Sequence, residues 1–75
     1  MKESKLKWQC RRGMRELDFL LTRFLDTKYD YVSSEQKLAF HRLLDLSDPE
    51  LNSFLLVGLV PEDPIMEELV NNIIH

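Results

Sequence analysis

One cysteine, two glycines and three prolines are all that this chain of 75 residues has of the types that most often cross-link a chain or break its regular structure. With Cys10 the lone thiol, no internal disulfide can form, which fits a reducing compartment. Cys10, His41 and His75 fall short of the four closely spaced Cys/His ligands usual for structural zinc, so no metal is expected. No apolar run approaches the ~18 residues of a membrane span, and the longest, Phe54 to Val60, is far shorter. The first residues also lack the apolar stretch of a secretory signal. A cytoplasmic protein without membrane insertion is expected. Paired catalytic carboxylates, nucleophile triads and glycine-rich phosphate loops are missing too. A chain of this size buries roughly 60% of its unfolded surface. That leaves little room for an enclosed small-molecule site, which typically takes about 300–1,000 Å³. An independent enzyme is therefore not expected.

What is present is a soluble, folded composition, 44% apolar and 31% charged. The net charge of −3 conceals a polarity along the chain. Residues 1–15 carry six basic side chains against one acidic, and residues 16–75 carry four against twelve. Such segregation favours oriented docking on a partner with an acidic patch. The acidic remainder would repel an extended phosphate backbone, so nucleic acid is not an expected partner.

Apolar periodicity is helical throughout, so residues 1–75 read as one all-α domain, a compact bundle of about five short helices. The first is expected from about Lys5 to Arg11, capped by Ser4, with Gly13 then interrupting or bending the chain. The second runs from about Met14 to Lys28. Its Met14, Leu17, Leu20, Leu21, Phe24 and Leu25 share an arc of roughly 140°. Lys28 to Val32 connects it onward, with Tyr29 and Tyr31 flanking the core. Ser33 and Gln36 match a capping box opening a third helix that carries Leu38, Ala39, Phe40, Leu43, Leu44 and Leu46. Asp48-Pro49 signals a fourth, with Leu51, Phe54, Leu55 and Val57, and Gly58 stops it. Asp63-Pro64 starts a fifth, with Ile65, Met66, Leu69, Val70, Ile73 and Ile74 on its stripe.

The chemistry is concentrated in Arg11-Arg12-Gly13-Met14-Arg15-Glu16-Leu17-Asp18. Glu16, in the first turn of the second helix, is stabilised by the exposed N–H groups there. It also shares a stripe with Phe19 and Arg23, opposite the Leu17/Phe24 core face, which Arg12 would extend if the helix continued through Gly13. An aromatic framed by arginines and a carboxylate has the composition of an interface anchor. Packing of Phe19 under the first or fourth helix is the competing reading. His41 is expected in solvent beside Lys37 and Asp45. Cys10 is expected to be buried between the first two helices, against the alternative of a thiol activated by Arg11 and Arg12.

Trp8-x-Cys10-Arg11-Arg12-Gly13-Met14-Arg15-Glu16-Leu17-Asp18 resembles the signature of the small succinate dehydrogenase assembly factors, the flavinator proteins. The shared Arg-Gly-x-x-Glu core is met by Arg12, Gly13 and Glu16. Ser33 to Leu44, Asp48-Pro49-Glu50-Leu51, Pro61-x-Asp63 and the closing helix follow the same order. Phe54 departs from the pattern, standing where many relatives have tryptophan. The resemblance implies a five-helix assembly factor that binds the flavoprotein subunit of succinate dehydrogenase, or of fumarate reductase. It promotes covalent attachment of FAD to a histidine of that client, with no stably bound cofactor and no catalytic group of its own. It also implies a contact patch of Arg12, Gly13 and Glu16, with Arg11, Trp8 and Arg15 beside it; Phe19 and Arg23 join through the stripe described above. A second reading is the antitoxin of a toxin–antitoxin pair, a role described for some members of the family.

Overall fold

Phe24 and Phe40 meet at the centre of the molecule with ring centroids 4.9 Å apart, and Tyr29 closes over both. The structure is a computed structural model describing residues 2–75, with side chains from Lys5 onward. Its helices are α1 (Lys2–Cys10), α2 (Arg15–Thr27), α3 (Ser34–Leu44), α4 (Asp48–Asn52) and α5 (Pro64–Ile74). A 3-10 turn, Tyr29–Tyr31, links α2 to α3, and a π-helical turn, Ser53–Val57, continues α4. α5 packs against α2 and α3, while α1 lies along α2. The shared core takes Leu17, Leu21 and Phe24 from α2, Phe40 and Leu43 from α3, Leu51 from α4, and Leu69 and Ile73 from α5. Leu6 and Cys10 bring α1 into the same core.

Several boundaries differ from the sequence reading, each for a local reason. α1 begins before Ser4, so that residue lies inside the helix rather than at its cap. Met14 is not the first helical residue of α2 but its extended N-cap, and it stays partly in solvent. At the start of α3, Ser33 accepts from the Gln36 N–H at 3.2 Å. Gln36 does not reach back to complete the box. Its side chain is buried and accepts from Asn72 Nδ2 at 2.9 Å, joining α3 to α5. Gln36, Ala39, Phe40, Leu43 and Leu44 form the buried stripe of α3. Leu38 is therefore on the far side and exposed, not in the core. The cap of α4 is Ser47, one residue before Asp48, with a full capping box to Glu50. Asp63 caps α5 as expected, accepting from Ile65 N–H at 3.0 Å. Tyr29 fills the aromatic slot beside Phe40, which leaves Tyr31 in solvent rather than flanking the core.

Candidate partner-binding surface

The α1–α2 turn is organised around Gly13, whose φ of +76° is a left-handed conformation that side chains with a Cβ resist. Across this turn the backbone N–H of Arg12 donates to Asp18 Oδ1 at 2.6 Å. Asp18 in α2 thus reaches back and fixes the residue before the glycine. The helix does not run through Gly13, so Arg12 does not extend the stripe of Glu16, Phe19 and Arg23.

Arg12 turns inward instead. Its guanidinium donates to the Leu44 carbonyl and, at 3.5 Å, to that of Leu46, and lies 3.7 Å from Asp48 Oδ1. The last carbonyls of a helix lack intrahelical partners and carry partial negative charge, so a cation there caps α3. The Nε of Arg12 is buried without a partner. The side chain therefore ties the α1–α2 turn to the α3–α4 junction.

Arg11, Gly13, Arg15 and Glu16 all remain exposed. None of these three charged side chains forms an ion pair among the described residues. Trp8 is 75% exposed and Phe19 61% exposed, so Phe19 is not packed under α1 or α4. The Arg23 guanidinium lies 5.3 Å from the Phe19 ring centroid, close enough for a cation–π contact. Its Nη2 also donates to the carbonyls of Ile73 at 2.9 Å and Ile74 at 3.0 Å. Arg23 thus serves the end of α5 and the underside of Phe19 together. A shallow groove of about 460 Å³ brings Arg11, Phe19 and Arg23 together with Asp18, Thr22 and Asp26. The structure thus divides the expected site residues. Arg11, Gly13, Arg15, Glu16, Trp8 and Phe19 face solvent, Arg23 is shared, and Arg12 is largely structural. Asp18 is the residue that the sequence reading left without a role. Its signal was a carboxylate following a glycine-interrupted helix start.

The remaining candidates are quiet. Cys10 is fully buried, and that burial pushes its thiol up to about 11, with Arg12 opposing the shift. Activation by neighbouring arginines therefore does not win. His41 is exposed but not simply solvated, since its Nε2 lies 3.1 Å from the Tyr29 hydroxyl. Burial and the nearby Asp30 raise the Tyr29 pKa. Among the described residues no group of three or more His, Cys, Asp and Glu could hold a metal ion. No described helix is long and apolar enough to cross a membrane.

Residues 4–75 match the family described as flavinator of succinate dehydrogenase. The chain is 41% identical over 69 residues to the FAD assembly factor SdhE of Coxiella burnetii, covering 92% of this chain and 84% of that protein. It is 40% identical over 68 residues to that of Yersinia pseudotuberculosis, covering 91% and 77%. With that of Colwellia psychrerythraea the identity is 42% over 72 residues, covering 96% and 79%.

Proposed function

This chain belongs to the family of flavinators of succinate dehydrogenase, and from that premise we propose that it binds the flavoprotein subunit of that enzyme through the Gly13 turn. Its role is assembly of FAD into succinate dehydrogenase. The observation that carries the binding reading is the exposed Arg11, Arg15 and Glu16 beside a turn locked by Asp18. Each arginine can hold a client carboxylate through two parallel hydrogen bonds, and Glu16 can accept from a client arginine or backbone N–H. Trp8 and Phe19 supply the aromatic area typical of interface anchors. Gly13, with no Cβ, lets a client backbone approach closely.

FAD supplies the group that becomes covalently attached. The groove beside Phe19 is open, and its wall sets Arg11 and Arg23 against Asp18 and Asp26, so it offers a diphosphate no net positive charge. We read FAD as held by the client, with this chain acting on the client's conformation. The factor acts by binding one client conformation more tightly than others, shifting the population by that difference in affinity. Holding reacting groups in register then speeds attachment without a catalytic side chain here. We place the protein in the cytoplasm with its client. The antitoxin reading has no support among these relatives, each of which is named a FAD assembly factor.

The test is covalent flavin fluorescence of the flavoprotein on a denaturing gel, from cells lacking this gene. Loss of the band, restored by wild type but not by a folded Glu16→Ala variant, is the expected result. An unchanged band in the deletion strain would overturn the function, and full rescue by Glu16→Ala would overturn the site.

A further inference from the structure

A second surface lies away from the arginine cluster in sequence, where the π-helical turn runs into the segment before α5. Ser53 accepts from both Gly58 N–H at 3.0 Å and Leu59 N–H at 2.9 Å, with Gly58 at φ +97°. This wide closure turns Leu56, Val57, Leu59 and Val60 outward. Val57 is 73% and Val60 64% exposed, so Val57 does not join the core as its place on the apolar stripe suggested. Neighbouring apolar side chains in solvent mark an interaction surface more often than an accident of folding. Beside them a groove of about 120 Å³ runs between this segment and α5, with Leu59, Val60 and Glu67 on its lining. The charged side chains of the stretch from Leu56 to Glu67 are all acidic, Glu62, Asp63 and Glu67, and Glu67 lines the groove.

We infer that Leu56 to Val60 and Glu67 form a second docking surface for the client flavoprotein, taking an apolar side chain flanked by lysine or arginine. The inference rests on the assembly-factor reading and extends it. The charge pattern selects the occupant. A two-fold pairing of two copies would set the same carboxylates against one another, because an isologous contact opposes identical patches. That like-charge contact is costly, and an anionic lipid headgroup or nucleic-acid phosphate meets the same repulsion. A standard interface covers roughly 800 Å² of each partner. That is comparable to a whole face of a molecule measuring 32 × 28 × 20 Å, so one client can touch both surfaces.

The experiment is calorimetric binding of the purified flavoprotein subunit, without FAD, to wild type, Val57→Asp, Leu59→Asp, Glu67→Gln, Glu67→Lys and Glu16→Ala. Thermal melts run alongside, and the exposed positions should leave them unchanged. Val57→Asp and Leu59→Asp are expected to weaken binding about tenfold or more, with Glu67→Lys weakening it more than Glu67→Gln. If Glu16→Ala weakens binding and both loop variants bind like wild type, the second surface is wrong and the assembly reading stands. Equal effects of the two Glu67 variants would remove the basic character assigned to the client. Should wild type fail to bind the subunit at all, both readings fall. A wild-type dimer in sedimentation that Val57→Asp dissociates would assign the surface to a second copy instead.

Discussion

Within the span of one turn, Arg12 and Gly13 serve folding while Arg11, Arg15 and Glu16 are left to solvent. Sequence could name this cluster but could not sort it. The sorting depends on Asp18 and on the carbonyls of Leu44 and Leu46, which are distant along the chain. Arg12→Ala should therefore destabilise the protein by about 2 kcal/mol, the range for hydrogen bonds to charged groups. Glu16→Ala should stay within about 0.5 kcal/mol of wild type. Paired melts check this, and only the Glu16 result reports cleanly on client binding. At Gly13 an added Cβ would meet nothing within 4 Å, so in the free protein glycine is needed for its φ alone. Gly13→Asn, which tolerates left-handed backbone better than alanine, should melt above Gly13→Ala. If flavinylation fails in both, the glycine also admits the client backbone. If Asn restores it, backbone conformation was the whole requirement. Cys10 gives a pH prediction. The folded thiol keeps its proton until about 11, whereas its ordinary value is 9.0. Below the ordinary value both states are protonated and nothing is lost. Above it the unfolded chain gains by ionising. Stability should therefore fall between those two values by on the order of 2 kcal/mol. Alkaline denaturation series of wild type and Cys10→Ala should show the slope in the first and a flatter line in the second.

Among the elements, α5 best separates what a sequence pattern can and cannot tell. Its start is legible in Asp63-Pro64, and its buried stripe in Leu69, Val70 and Ile73. How it ends is not, because α5 has no basic residue in its last turn. The cations come from α2, with Arg23 on Ile73 and Ile74, and Lys28 Nζ donating to the Asn72 carbonyl at 2.7 Å. Helix wheels align residues within one element and carry no information about a cap supplied by another. The same limit hid the Gln36–Asn72 bond and the exposure of Leu38 among the apolar residues of α3. Arg23→Ala and Lys28→Ala should each loosen the end of α5 by about 1 kcal/mol. Amide hydrogen exchange in its last turn should then speed up about fivefold, with α3 protection unchanged. Exchange rising equally across the molecule would mean that these contacts hold the whole fold, not one helix end.

For the molecule as a whole, the decisive property is that charge is segregated by segment while the core is shared by all five helices. That segregation is fully legible in the linear sequence, since formal charge needs no fold to be counted. The fold adds the contact between the two halves. Arg12, from the basic segment, meets Asp48 of the acidic one and so leaves the outward excess to the other cations. Lys5, Lys7, Arg11 and Arg15 are exposed and should steer the client's approach. Long-range attraction of this kind acts on the association rate and is screened within a Debye length of about 8 Å at physiological salt. Stopped-flow association with the flavoprotein subunit should slow about tenfold or more from low to high salt, while dissociation changes little. Lys5→Gln with Lys7→Gln should flatten that dependence without moving the melt, because neither side chain belongs to the core. An association rate indifferent to salt would mean that the basic segment does not guide docking and that local contacts at the Gly13 turn set the encounter.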